Sequence, residues 1–216
     1  MGIINFGIPI REALSVSKIL NLDIFVETGT WMGETASKMS QFFKRVYTIE
    51  ASESLFKISQ HKLKNFDNII ACLGDSRKIL NSIIENEDNI LFWLDAHWSG
   101  GNTYGENDEC PVIEELNAIF KHKKNYAILI DYARLFLAPP PLPHNFLNWP
   151  SILDISNAIP KDFDLLIHED VIYVFPISYR YELRKYFQEL TTNEWSKRDR
   201  FIFKFLRWVE RAISRD

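Results

Sequence analysis

Cysteine is nearly missing: Cys72 and Cys110 are the only two in 216 residues, and they form no CxxC pair. That excludes a disulfide framework and argues against a zinc site, so a reducing compartment is the expectation. Glycine is sparse, at 8 residues, and no G-x-x-x-x-G-K-[ST] run occurs, which excludes a P-loop. No apolar run approaches the roughly 18 residues that cross a bilayer. The N-terminus lacks the basic start of a signal peptide, and Phe6 stands where a myristoylation signal needs Ser or Thr. Cytoplasmic residence is therefore expected. Neither sign of charge dominates: 25 Lys/Arg against 29 Asp/Glu leave a net charge of −4, too little for a whole-protein field that would hold nucleic acid.

What is present suits one enlarged domain or one domain with an appendage. A hydrophobic share of 46% with 25% charge is that of a globule with a real core. From about Pro9 to Leu20 the chain reads as a helix, and Ile24-Phe25-Val26 as a strand ending at Glu27. Helical spacing follows over Thr35 to Lys44, then a second strand, Val46 to Ile49, ending in Glu50. Ser52 to Phe66 reads as helix with Ser52 as N-cap. Ile69 to Cys72 is a third strand, followed by Gly74-Asp75-Ser76 and another helix. Ile90 to Leu94 ends in Asp95, and Tyr126 to Ile130 ends in Asp131, with a polar loop and a helix opened by Pro111 between them. Nearly solid apolar strands alternating with helices predict a doubly wound, mostly parallel α/β sheet.

After Asp131 the rhythm breaks. Ala138-Pro139-Pro140-Pro141-Leu142-Pro143-His144 cannot be regular helix or central strand. The surrounding Leu135, Phe136, Phe146, Leu147 and Trp149 favour an ordered lid over a linker. Phe163 to Ile167 and Val171 to Phe175 flank a short polar turn and read as an antiparallel hairpin. From Ser178 the chain reads as a helical extension, with ten Lys/Arg against six Asp/Glu. Its run Phe201-Ile202-Phe203-Lys204-Phe205-Leu206-Arg207-Trp208-Val209 fits an interfacial membrane helix or a nucleic-acid stripe. The preferred reading is a helix packing on the sheet or on a second subunit. The expected division is 1–177 and 178–216, with the extension packed on the first part and a homo-oligomer formed through it.

Each of the first five strands ends in, or is soon followed by, an acid: Glu27, Glu50, Asp75, Asp95 and Asp131. In a parallel sheet they share one edge, where they repel unless a cation or hydrogen-bond donors lie among them. That favours a ligand with positive charge, hydroxyls or a metal ion. The strand–turn–helix around Glu27-Thr28-Gly29-Thr30-Trp31-Met32-Gly33 is a ligand-binding position in open α/β folds. A pyrophosphate is disfavoured there, because Trp31 and Glu34 occupy the second and third glycine positions of G-x-G-x-x-G.

Over about Ile24 to Pro176 the chain resembles the class I S-adenosylmethionine-dependent methyltransferases, and especially small-molecule and sugar O-methyltransferases. Glu27-Thr28-Gly29 with Gly33 resembles the acid-and-glycine loop after the first strand, with Trp31 standing where many members carry glycine. Glu50 resembles the acid that accepts hydrogen bonds from ribose hydroxyls, and Asp75-Ser76 the pair bordering the adenine. The reversed last strand fits as well. The resemblance implies a Rossmann-like domain that binds S-adenosylmethionine through Glu27, Thr28, Gly29, Thr30, Trp31, Gly33, Glu50, Ala51, Asp75, Ser76 and Asp95. The bland alternatives are that Glu27 orders its own loop and that Asp75 is an N-cap.

On the acceptor side, Asp95 or His97 is the candidate general base for an acceptor hydroxyl. Asp95 and Asp131 are the candidate ligands of a divalent cation such as Mg, resembling metal-dependent O-methyltransferases, although Tyr132 stands where a further ligand is usual. Glu106-Asn107-Asp108-Glu109 could contact a polar acceptor or a cation, but the preferred reading is a solvated helix start; Arg134 and His144 read as weaker substrate contacts. The expected activity is O-methylation of a small polar or sugar-like acceptor. A noncatalytic cofactor-binding or scaffold protein is the alternative. A nucleic-acid methyltransferase ranks lower, since no Asn/Asp-Pro-Pro-aromatic run follows the fourth strand.

Overall fold

The computed structural model describes residues 7–98, 105 and 108–213, and the side chains among these as far as 196. Its contacts divide the chain into two compact units, Met1–Tyr179 and Arg180–Asp216, two residues beyond the boundary expected from sequence.

The first unit is an α/β sandwich. In order it runs α1 (Ile10–Leu20), β1 (Ile24–Thr28), α2 (Glu34–Met39), β2 (Arg45–Glu50), α3 (Glu53–Leu63), β3 (Ile69–Leu73), α4 (Ser76–Asn86), β4 (Ile90–Leu94), α5 (Val112–Phe120) and β5 (Tyr126–Ile130). Then come α6 (Ala133–Leu137), a 3-10 turn (Phe146–Asn148), α7 (Ile152–Ala158), β6 (Phe163–His168) and β7 (Val171–Pro176). The second unit is described as one helix, α8 (Arg180–Ile213). The sheet order is β3-β2-β1-β4-β5-β7-β6, and β7 runs antiparallel to both β5 and β6. The doubly wound sheet with a terminal hairpin is thus as expected.

Burial follows from strand composition. β1, β4 and β5 are buried at every position, as central strands covered on both faces must be. Ile24, Val26, Ile90, Phe92, Leu94, Ile128 and Ile130 point to one face and pack with residues of α4, α5 and α7. The opposite face carries Phe25, Glu27, Leu91, Trp93 and Leu129, because successive strand residues alternate. The chain steps outward from β1 through β2 to β3 and then crosses back to β4 on the other side of β1, so β1/β4 is the switch point, where a crevice opens beyond the strand ends. α2 is shorter than its spacing suggests: it stops at Met39, and the remaining residues turn into β2.

Candidate functional site

β1 brings Glu27 and Thr28 to the crevice, and Gly29 turns the chain there. Gly29 has φ +86, and a Cβ on it would lie 2.5 Å from the Asp95 carbonyl oxygen. Only a residue without a side chain lets the loop after β1 pass so close to the chain leaving β4. The Asp95 N–H also donates to the Thr28 carbonyl, at 3.1 Å. Thr30 and Thr48 share a hydrogen bond of 2.6 Å, and Thr48 donates to Glu27 Oε2 at 2.7 Å. Glu27 is buried opposite Thr48 and Trp93 in the sheet register. Burial pushes its carboxyl up to about 8, against the pull of the Thr48 and Thr35 hydrogen bonds.

Glu50, at the end of β2, ties two turns together. Its Oε2 accepts from the Trp31 N–H and its Oε1 from the Ser52 N–H, both at 2.9 Å. Ala51 lies between them, and Ser52 caps α3. Trp31 has φ +46, in the left-handed region where a bulky side chain is strained, and its side chain is 60% exposed. The chain therefore keeps a glycine-like backbone at Trp31, held by Glu50, and presents an indole at the mouth of the crevice. Gly33, at φ +71, closes the turn as the residue before α2.

Asp75 is the N-cap that the alternative reading expected. It accepts from the Arg77 N–H as the N-cap of α4, and its carboxylate is paired with the Arg77 guanidinium at 2.8–3.1 Å. Those bonds hold it below the usual carboxylate range. Ser76 donates instead to Glu115 Oε1, at 2.6 Å. Glu115, on α5, is buried, and burial raises it to about 7, offset in part by Ser76 and Thr28. It lines a cleft together with Leu94, Ala96, His97, Cys110 and Phe136.

On the acceptor side, Asp95 and Asp131 follow the paired ends of β4 and β5, and the Asp131 N–H donates to Leu94 O at 3.1 Å. Burial, then the charge of Asp131, pushes Asp95 well above the ordinary range. The Trp93 indole N–H lies near enough to favour ionised Asp95, yet it makes no hydrogen bond by geometry. Burial raises Asp131 to about 7. Two carboxyls so placed resist ionising together, so the pair carries a proton near neutral pH. His97 Nε2 lies 3.6 Å from Asp95 Oδ1. Its ring stands edge-on to Tyr132 at 4.5 Å and near Trp149 at 5.5 Å. Burial, helped by His144 and Arg134, lowers His97 to about 4, so its imidazole is neutral at physiological pH.

Asp95 and Asp131 are the two side chains here that could hold a divalent cation. Asp131 Oδ1 already accepts from the Tyr132 N–H at 2.8 Å. Among the described residues, no third His, Cys, Asp or Glu ligand atom joins Asp95 and Asp131 within 4.8 Å. An ion such as Mg, which is commonly held by one or two carboxylates, would have to complete its six oxygens with water or the acceptor.

Glu109 is not a solvated helix start. It is 2% exposed and accepts from His144 Nδ1 (2.9 Å), the Asn145 N–H (2.8 Å) and Trp149 Nε1 (2.7 Å). Burial acts to raise its carboxyl, but these donors outweigh it and hold Glu109 below its usual value. One carboxylate thus pins the proline segment against the base of the loop after β4, whose ends meet through Trp98 N–H to Glu109 O at 2.7 Å. His144 is held by this clamp, and Arg134 by an ion pair with Asp170. Asp108 pairs with Arg77, while Glu106 and Asn107 lie outside the described residues.

The strand order, the crevice and its acidic rim can be compared with known proteins. No family model matches the chain. A Streptococcus mutans protein described as a proposed methyltransferase, solved with SAH, superposes with a TM-score of 0.57 at 13% identity, over 81% of this chain and 100% of that one. The chain has the class I S-adenosylmethionine-dependent methyltransferase fold. A proposed O-methyltransferase from Klebsiella pneumoniae matches this methyltransferase fold with a TM-score of 0.56 and 13% identity, over 81% and 83% of the two chains. In sequence, 82 residues are 29% identical to ribosomal RNA small subunit methyltransferase A of Clostridium botulinum, spanning 38% of this chain and about a third of the relative (30%).

Within the methyltransferase fold, the structure brings Glu27, Thr28, Gly29, Thr30, Trp31, Gly33, Glu50 and Ala51 together around the β1 and β2 ends, and Asp95, His97 and Asp131 around β4 and β5. Thr48, Trp93 and Glu115 were not foreseen as site residues, and Glu109 was weighed only as an acceptor or cation contact, not as a clamp. Glu115 had a signal: it sits on the same helical stripe as Val112, Leu116 and Ile119, where an acid is out of place.

The raised acids have a measurable consequence. An acid whose folded pKa lies above its unfolded value destabilises the fold progressively as pH rises between the two. For Glu27 that window runs from 4.5 to about 8, at about 1.4 kcal/mol per pH unit. Glu115 and Asp131 act in the same direction up to about 7. Melting temperature is expected to fall from pH 5.5 to pH 8, and Glu27→Gln to flatten that fall. A wild-type curve that rises across this range, or a variant as steep as wild type, would contradict the assignment.

Proposed function

We propose that this chain is an S-adenosylmethionine-dependent methyltransferase that O-methylates a small polar or sugar-like acceptor. The observation that carries the reading is Glu50. It ends the strand next to the glycine turn, fixes the loops on both of its sides through backbone N–H groups, and keeps lone pairs for a diol. Gly29 supports it, as a cradle that a single Cβ would obstruct. The row of carboxyls suits a cationic sulfonium, and S-adenosylmethionine would supply the electrophilic methyl group.

The chain's own residues would align the reactants and handle the acceptor proton. Alignment supplies much of the acceleration in a displacement of this kind. The Glu50-braced loop fixes the donor side. On the acceptor side, neutral His97 can take a proton at Nε2, 3.6 Å from Asp95 Oδ1, where the single negative charge left on the Asp95–Asp131 pair can stabilise the imidazolium. Tyr132, Trp149 and the Glu109-clamped segment keep water from that imidazole.

The test is cofactor consumption across a panel of hydroxyl acceptors, run with magnesium, with manganese and with EDTA, and including structured RNA. Turnover on a small hydroxyl acceptor is the expected result. RNA belongs in the panel because of the 82-residue similarity to the ribosomal RNA enzyme, and turnover on RNA alone would overturn the small-molecule part. Binding of cofactor with no turnover on any acceptor would favour the noncatalytic reading. Loss of turnover in EDTA would show that the acidic pair recruits a cation after all.

A further inference from the structure

Two aromatic residues among the described ones hold a left-handed backbone, Trp31 at φ +46 and Tyr132 at φ +60. That conformation suits glycine or asparagine and strains a bulky side chain. Such strain persists where the surroundings hold it, and it clusters at functional sites. Trp31 is held by Glu50. Tyr132 is held by its own turn: its N–H donates to Asp131 Oδ1 and its carbonyl accepts from the Leu135 N–H, both at 2.8 Å. A glycine there would form the same turn without strain. What tyrosine adds is two ring contacts. The His97 ring stands edge-on to it with centroids 4.5 Å apart, and the Arg134 guanidinium carbon lies 4.5 Å from its centroid.

A guanidinium over a phenol is attracted by the ring's quadrupole, so it steadies the ring only while it is itself kept in place. The terminal hairpin keeps it there. β6 and β7 are joined by the two-residue turn Glu169-Asp170, and β7 pairs with β5 as far as Ile130 opposite Ile172. The turn therefore lies beside the chain that leaves β5. Asp170 is buried and grips the start of α6 three times. Its carbonyl accepts from the Ala133 N–H at 2.8 Å, its Oδ1 accepts from the Arg134 N–H at 3.0 Å, and its Oδ2 pairs with the Arg134 guanidinium. One carboxylate thus fixes both the backbone and the head of the arginine. Arg134, a substrate contact in the sequence reading, is occupied by a carboxylate and a ring.

We propose that Asp170, Arg134 and Tyr132 are positioning residues for His97. The hairpin turn fixes the guanidinium, the guanidinium fixes the phenol ring, and the ring sets the plane of the imidazole that takes the acceptor's proton. The hairpin that closes the sheet serves the acceptor side in this way without supplying a reacting group. His97 has its task only under the methyltransfer reading, on which the inference rests, but the ring contacts are measurable without cofactor or acceptor.

The experiment is NMR of the His97 ring in the full chain, its signal assigned among the five histidines by its loss in His97→Gln. Ring currents of Tyr132 and Trp149 displace that signal from the position of free histidine. Asp170→Asn keeps an acceptor oxygen but removes the charge that holds the guanidinium. It and Arg134→Met are expected to move the signal toward the free position, and Tyr132→Leu to move it furthest. Tyr132→Phe keeps a ring under the guanidinium and should hold the signal near its wild-type place. Tyr132→Gly relieves the left-handed backbone, so it should lose the displacement while its melting temperature stays near wild type. On the acceptor found in the panel, Tyr132→Leu and Asp170→Asn should lower kcat by about tenfold to a hundredfold, with Tyr132→Phe recovering most of it. The Kd for S-adenosylhomocysteine should stay within about twofold of wild type in all of them. A His97 signal unmoved in both Asp170→Asn and Arg134→Met would overturn the proposal. So would a displaced signal with kcat unchanged, because the plane of the imidazole would then not matter. A wild-type chain that binds no S-adenosylhomocysteine would instead overturn the methyltransfer reading, and the positioning role with it, whatever the ring signals show.

Discussion

Replacing Glu50 by alanine is expected to weaken S-adenosylhomocysteine binding by about 3 kcal/mol, roughly a hundredfold in Kd. The argument is local. One carboxylate accepts the Trp31 and Ser52 N–H groups, both at 2.9 Å. Hydrogen bonds to a charged acceptor are each worth about 1.5–3 kcal/mol. Alanine removes the acceptor for a ribose diol and at the same time frees Trp31, whose left-handed backbone relies on being held. Glu50→Gln keeps one acceptor oxygen and turns an amide donor toward one of the two N–H groups, so it should fall between wild type and alanine. The melting temperature should drop far less than the affinity, because water can reach the exposed Trp31 turn. An alanine variant that binds as wild type does would remove Glu50 from the cofactor site.

Gly29→Ala should do more damage to the fold itself. The added methyl would lie 2.5 Å from the Asp95 carbonyl oxygen and 3.3 Å from the Ala96 Cα, and both are backbone atoms with nowhere to retreat. The positive φ adds strain of its own. A loss of about 2–4 kcal/mol in stability is expected, together with loss of cofactor binding. Gly33→Ala is the internal control. It shares a positive φ, but its Cβ would meet only the Leu63 side chain at 3.0–3.2 Å, which can shift. Urea denaturation of the two variants should rank Gly29→Ala as clearly the worse. If the two are equal, the close approach of the β1 loop to Asp95 is not what requires glycine there.

These effects were only partly legible in the sequence. The sheet was, because buried parallel strands are solid apolar runs and each one ended in an acid. The hairpin was legible because two apolar runs flank the short polar turn His168-Glu169-Asp170. The details of the site depend on partners distant in sequence. Glu109 looked like part of a hydrophilic run, and nothing local said that His144, Asn145 and Trp149 would return to it 35 to 40 residues later. Asp75 was readable either as a purine contact or as a cap; the cap is present, and the pairing of the same carboxylate with Arg77 was not foreseen. Trp31 looked like a departure from a glycine loop; its backbone shows that the loop kept the glycine conformation and added an indole. Thr48 hid inside an apolar strand, where only the register with Glu27 gives its hydroxyl a purpose.

The acidic rim also explains why the crevice should prefer a cation. Glu27, Glu115, Asp95 and Asp131 are all raised by burial, and Arg77 and Arg134 are engaged with Asp75 and Asp170. A sulfonium entering among these carboxyls favours their ionised forms. A phosphate-bearing nucleotide would meet the opposite electrostatics.

Equilibrium dialysis of the wild-type chain against labelled S-adenosylmethionine, with S-adenosylhomocysteine as competitor, asks the central question. Saturable binding at a single site per chain, displaced by the competitor and lost in Glu50→Ala, is the predicted result. A folded chain that retains no label at millimolar concentration would contradict it.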